Sequence, residues 1–419
     1  MPHVSTEVFR ALSHSKPVHI VNMCPNICTL DWNGVVPDVH GNNHNFLYIR
    51  LFLGPKTKKL VWSMDGADMA CLSILRSLPR DCPRLTGIDF ECIHAQPHLS
   101  ADAVADAVCD WHWLESFRWT DTFSNHGLIH LANLPNLQQI DIYVAELNSG
   151  WQAHLLTSHQ PAFRSLCKAQ ICSEHISSCT SLIDQMSPSA PLTSITVHIM
   201  QHDEVSVVAD FIQVLTAHCS HLVLTTLCIA AAPETSTNQG VIDEDLLRPL
   251  LTFPNMQDVE IHPIAHNIGN GILEDIAASW PQLHVLVLGT LAGPSQITLS
   301  GIRPLSSLSN LEKLSIVINA PDIDYTLMPL GSVSNSKLSH LSLGDARIEN
   351  PYPVAAFLSD IFPKVRTISS WSTHDTLVSQ RDAKKYQDRW NIVAGLVETF
   401  AKVRQQERTN MQERVPREG

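Results

Sequence analysis

Apolar residues along this chain recur as a triplet, spaced as residue, three on, five on, with polar or small residues between them. Clear copies read CPRLTGIDFE from Cys82, LPNLQQIDIY from Leu134, FPNMQDVEIH from Phe253, WPQLHVLVLG from Trp280, LSNLEKLSIV from Leu308 and NSKLSHLSLG from Asn335. In register, the triplets are Ile27-Leu30-Trp32, Thr57-Leu60-Trp62, Leu85-Ile88-Phe90, Leu114-Phe117-Trp119, Leu137-Ile140-Ile142, Leu166-Ala169-Ile171 and Leu192-Ile195-Val197. Six more follow: Leu224-Leu227-Ile229, Met256-Val259-Ile261, Leu283-Leu286-Leu288, Leu311-Leu314-Ile316, Leu338-Leu341-Leu343 and Val365-Ile368-Ser370. Thr57, Ala169 and Ser370 are the weak members.

The last two residues of each triplet are two apart, so on a strand they share one face. In LTGIDF that face carries Ile88 and Phe90, while Gly87, Asp89 and Glu91 take the other. Between strands the period becomes helical: Met69, Leu72, Leu75 and Leu78 fall on one side, as do Val205, Val208, Phe211, Ile212 and Leu215. Similar stretches run over 101–113, 174–186, 244–253, 271–280 and 354–362. Strand, helix, strand at this spacing demands a parallel sheet, because each crossover returns the chain in the same direction. Pro25, Pro83, Pro135, Pro254, Pro281 and Pro363 stand just before strands, where a ring without an N–H stops the helix. The first positions run from 27 to 365 in twelve steps of about 28 residues, the spacing of leucine-rich repeats. Common repeats of this kind carry Asn or Cys three positions after the triplet; only Asn319 fits, so irregular turns are expected.

The expected architecture is an α/β leucine-rich-repeat solenoid, a right-handed horseshoe with a concave parallel sheet and convex helices. Residues 1–26 form an N-terminal cap or partial repeat, with a short helix over Thr6–Leu12. Residues 27–374 form about thirteen irregular repeats, and 375–419 an amphipathic helix and charged tail. In that tail Tyr386, Trp390, Val393, Leu396, Val397, Phe400 and Val403 share one side, as a helix capping the last repeat requires. Residues beyond Arg408 are expected to lack structure.

Net charge is −13, which disfavours a nucleic-acid partner. From Asp375 onward there are nine Lys/Arg against seven Asp/Glu, so the repeats are acidic and the tail slightly basic. No apolar run reaches membrane-spanning length and no basic-then-apolar leader opens the chain. Eleven cysteines without a CxxC pair, and no glycosylation sequon, predict a cytoplasmic or nuclear chain with reduced thiols. Cys24, Cys82 and Cys219 precede repeat starts and are expected to be packing residues. A monomer is expected.

Candidate chemistry is sparse. Histidines stand four apart at 40/44, 94/98, 126/130, 198/202 and 262/266, and only His126 and His130 fall in a predicted helix. They lack a third ligand or an HExxH glutamate, so they read as exposed helix-face residues. Asp243, Glu244 and Asp245 stand at a helix start and Asp322 and Asp324 in a loop before one, so both groups read as caps. No phosphate loop, dinucleotide fingerprint or GxSxG occurs; no cofactor, no metal and no enzymatic activity are expected. That leaves the outward strand positions as the partner-binding face for a protein target. Its candidate residues are Asp31, Lys59, Asp89, Glu91, Arg118, Asp141, Tyr143, Asp258, Glu260 and Trp371, with Lys168 and Lys313 among its cations. The acidic clustering of Asp89, Glu91 and Asp141 predicts a basic or neutral partner near the N-terminal half.

The phrase CPRLTGIDF, the run LFLGPKTKKLVW from Leu51, LANLPNLQQIDIY from Leu131 and the ending RWNIVAGLVETFAKVRQQER from Arg389 resemble the leucine-rich-repeat region of fungal, basidiomycete-type F-box proteins. That resemblance implies a substrate-recognition role in a cullin-type ubiquitin ligase, in which an N-terminal F-box docks the adaptor and the repeats hold the target. The first 26 residues show neither the Leu-Pro opening nor the later Trp of an F-box, so an adaptor is expected only with an F-box outside this chain. The alternative is a free-standing scaffold or inhibitor.

Overall fold

The computed structural model describes residues 6–15, 22–32, 44–63, 69–91, 101–144, 147, 151, 161–201, 205–231, 241–262, 265–289, 295–320, 334–335, 337–371 and 380–414. The chain gathers into two compact units, Met1–Met200 with His218–Ser220, and Gln201–Ala217 with His221–Gly419.

In the first unit β1 (Thr29–Trp32), β2 (Lys59–Ser63), β3 (Gly87–Glu91), β4 (Ser116–Phe123), β5 (Gln139–Val144), β6 (Lys168–Ser173) and β7 (Ser194–Ile199) form a parallel ladder in sequence order. The middle triplet residues Leu30, Leu60, Ile88, Phe117, Ile140, Ala169 and Ile195 stand opposite one another, and all are buried. In the second unit β8 (Thr226–Ala231), β10 (Asp258–Ile261), β12 (Val285–Leu288), β13 (Lys313–Ile316), β14 (His340–Ser342) and β15 (Thr367–Ser369) repeat the arrangement, with Leu227, Val259, Leu286, Leu314, Leu341 and Ile368 in line. The fold is thus the leucine-rich-repeat solenoid that the triplets predict. A short parallel pair, β9 (Val241–Asp243) with β11 (Ala265–Asn267), is an addition the triplet pattern does not signal.

Two backbone devices repeat with the triplets. The carbonyl just before each strand accepts two consecutive N–H groups from the next repeat: Lys58 takes Thr86 and Gly87, Thr86 takes Glu115 and Ser116, Glu115 takes Gln138 and Gln139, and Gln138 takes Cys167 and Lys168. Upstream, a turn closes on the first triplet residue, as in Ile27 N–H to Cys24 O, Leu85 to Cys82, Leu283 to Trp280 and Val365 to Phe362. Pro25, Pro83, Pro281 and Pro363 hold the second position of these turns, where a φ fixed near −65° is the required one. They shape a turn as well as ending a helix.

The third triplet position of the first repeats is aromatic. Phe90 meets Trp62 and Trp119 edge-on, both at 5.8 Å between centroids, so one stacked column fills the core beneath β2, β3 and β4. The intervening helices supply the facing layer: Met69–Asp81 buries Leu72, Leu75 and Leu78, and Ile176–Asp184 buries Ile176, Cys179, Leu182 and Ile183. Val205–His218 and Asn270–Ser279 follow the same pattern. The stretch expected as one helix over 244–253 is instead a four-residue helix, Glu244–Leu247, running into a 3-10 turn, Arg248–Thr252, because Pro249 cannot donate to a continuing α-helix. Asp243 caps it as expected, accepting from Leu246 N–H at 3.1 Å. Asp322 and Asp324 lie outside the described residues.

At the N-terminus the helix spans Thr6–Ser15, three residues past the predicted end. At the C-terminus the helix spans Gln380–Arg414, so the expected loss of structure after Arg408 does not occur up to Arg414. It packs against Pro351–Ile361 and buries Ala383, Trp390, Val393 and Val397, whereas Val403, expected on the buried side, is 45% exposed. Arg404 nevertheless bonds Ser359 Oγ. Among the described residues no helix is long and apolar enough to cross a membrane.

Candidate functional site

The outward rows of the first unit's ladder follow from the register. One row holds Lys59, Gly87, Ser116, Gln139, Lys168 and Ser194; the next holds Val61, Asp89, Arg118, Asp141, Gln170 and Thr196. All of these but Gly87 and Val61 line a depression of about 270 Å³, together with the middle triplet residues Ile88, Phe117, Ile140 and Ala169. Beside it Gly87 is closely packed, since a Cβ there would stand 2.9 Å from Ser116 Oγ and 3.4 Å from Lys59 Cγ.

The centre of the second row is an ionic cluster. Arg118 Nε lies 2.9 Å from Asp141 Oδ2 and Arg118 Nη1 lies 3.5 Å from Asp89 Oδ1, with all three side chains partly exposed. Burial pushes the Asp141 carboxyl above its ordinary value; Arg118 pulls it back, Asp89 adds to the rise, and His198 opposes it. Lys59 and Lys168 stand exposed on either side, and among the described residues neither has an ion-pair partner. The lining therefore carries three cations, Lys59, Arg118 and Lys168, against two carboxylates, Asp89 and Asp141. Asp89 and Asp141, read from the sequence as an acidic cluster, both face Arg118.

The other predicted residues are placed less centrally. Asp31 is exposed on β1 and Glu91 ends β3 opposite Ser63. Tyr143 is half-buried on β5, its hydroxyl donating to Glu174 Oε1 at 3.5 Å; burial, then Glu174, push its pKa up. In the second unit, Glu260 Oε2 lies 3.0 Å from His262 Nε2 and 3.4 Å from Lys313 Nζ, and Asp258 stands on the same strand with its carboxyl raised chiefly by burial. Trp371 is not on the open face at all. It is 1% exposed at a φ of 54°, its indole donates to Ala346 O at 2.8 Å, and its ring stacks on Tyr386 at 5.0 Å. The C-terminal helix claims it as core, because an aromatic beside the capped end is worth more buried than solvated. Ser116, Gln139, Gln170, Ser194 and Thr196 were not singled out from sequence, although their places beside the middle triplet residue mark them as outward.

Elsewhere, His126 and His130 lie on the helix Asn125–Asn133 as predicted. His126 is exposed, 3.7 Å by Nε2 from Cys109 Sγ; His130 is half-buried, its Nε2 3.2 Å from Trp111 O, and burial lowers its pKa. The expectation that both are exposed therefore fails at His130. Among the described residues no three His, Cys, Asp or Glu side chains converge as metal ligands. His40, His94, His98 and His202 lie outside the described residues. Cys82 and Cys219 are buried thiols pushed up to about 11 and about 12, consistent with packing, while Cys24 is only partly covered.

No protein-family model matches this chain, and no curated protein matches it. Solved structures do. An internalin (inlF) from Listeria monocytogenes shares 16% identity over 84% of this chain and 88% of its own, with a TM-score of 0.39. The yeast Rad7 and Elc1 complex gives 14% identity over 90% and 86%, at 0.39. A leucine-rich-repeat protein of Leptospira interrogans gives 12% over 94% and 97%, at 0.38.

Proposed function

We propose that this chain is a non-catalytic protein-binding module whose first unit takes its target on the outward rows of β2 to β7. The observation that supports this most is the depression itself: a parallel ladder presents a polar, charge-patterned surface in which the short side chains of Ser116 and Ser194 leave room for a partner's side chain. Near it, the Cys172 thiol is held above its usual range, first by burial and then by Asp141, so it is a poor nucleophile at neutral pH.

The test is site-specific photo-crosslinking of the full chain in a cell extract. A photo-reactive residue at Ser116 or Gln139 should trap discrete protein partners; the same residue at Ser77 or Thr180, on the helices, should not. Equal trapping from both sides would overturn the reading.

The narrower form of this proposal is a substrate-recognition subunit of a cullin-type ubiquitin ligase, supported by the repeat phrases and ending that resemble those of fungal F-box proteins. Co-purification of the ligase adaptor with the chain would uphold it. Trapped partners without adaptor would favour the free-standing scaffold or inhibitor.

A further inference from the structure

We infer that the target segment seated in the first unit's depression is an acidic peptide, read by Lys59 and Lys168. The inference rests on the strand-face reading above and adds the chemistry of the partner.

The two carboxylates of the depression are engaged from within. Asp89 and Asp141 flank Arg118 on adjacent strands in register, and the guanidinium faces both of them at 3.5 and 2.9 Å. An incoming cation would have to displace Arg118, which has no other acidic side chain in the lining to turn to. An incoming carboxylate meets a different surface. Lys59 and Lys168 lie in the row below, on β2 and β6, with Gly87, Ser116 and Gln139 on the three strands between them. Adjacent strands are about 4.8 Å apart, so four strand steps place the two lysine backbones about 19 Å apart. That matches about six residues of extended peptide. A segment crossing the strands can therefore give one acidic side chain to each lysine, while the hydroxyls and amides of Ser116, Gln139, Gln170, Ser194 and Thr196 meet its backbone. The depression is thus a locally cationic spot, three cations against two carboxylates, on a protein of net charge −13.

Fluorescence anisotropy of the full chain with labelled peptides of equal length tests this, one Glu-rich, one Lys-rich and one of Ser and Gly only. The Glu-rich peptide should bind most tightly, with affinity falling as salt rises. Lys59→Glu with Lys168→Glu should weaken it about tenfold, whereas Lys313→Glu in the second unit should leave it unchanged. Preference for the Lys-rich peptide, absence of Glu-rich binding, or indifference to the double reversal would overturn the inference. Ser116→Trp separates the two readings: if plugging the depression abolishes partner crosslinking while the lysine reversals change nothing, the strand face stands and the acidic partner falls.

Discussion

Single side chains in this protein take their roles from their place in the repeat. Phe90 is the clearest core case, held edge-on by Trp62 and Trp119 and fully buried. Phe90→Ala should cost about 3–5 kcal/mol by leaving a cavity that stiff neighbouring strands cannot close, read as a lower midpoint in chemical denaturation. A loss under about 1 kcal/mol would mean that the column is not packed as described. Asp141 shows the opposite balance, since burial outweighs its ion pair. Its folded pKa lies above the ordinary value, so the linked stability is present below the ordinary carboxylate value and is lost as pH rises through the raised one. Replacing Arg118 by Gln removes the main opposing influence, and carbon-13 titration of the Asp141 carboxyl should then show a still higher pKa. A lower one would contradict the assigned cause.

At the scale of elements, glycines separate crowding from openness. Gly127 sits where the helix Asn125–Asn133 meets Ala101–Val108: a Cβ there would lie 2.6 Å from Phe123 Cζ and 2.7 Å from Ala105 Cβ. Gly395, inside the C-terminal helix, has nothing within 4 Å of that position. Gly127→Ala should therefore destabilise by about 1–3 kcal/mol through overpacking, and Gly395→Ala should stabilise by about 0.5–1 kcal/mol through backbone entropy. Thermal melts of the two variants should move in opposite directions, and movement in the same direction would refute the helix packing. The sequence announced these helices through their apolar period, but not the length of each. Pro249 truncates one into a 3-10 turn, and the last helix keeps its backbone geometry to Arg414 although its apolar side is already exposed at Val403.

For the whole molecule, burial keeps Cys82 and Cys219 protonated well above neutral pH. A thiol reagent at pH 7 should modify exposed Cys28 quickly and Cys82, Cys179 and Cys219 only on unfolding, with mass spectrometry assigning the sites. Rapid native labelling of Cys82 or Cys219 would show that the cores are open. Sequence alone determined the repeat, the parallel register, the buried rows and the outward positions, because a triplet period and a strand's alternation are local properties that every repeat restates. Tertiary structure decided what those outward positions are. Asp89 and Asp141 read as a free acidic cluster until Arg118, from the strand between them, is seen to face both, and Trp371 reads as a surface aromatic until the helix from Gln380 covers it. Charge pairing across strands and burial by a distant helix depend on which residues meet in space, and no single repeat's pattern encodes that meeting.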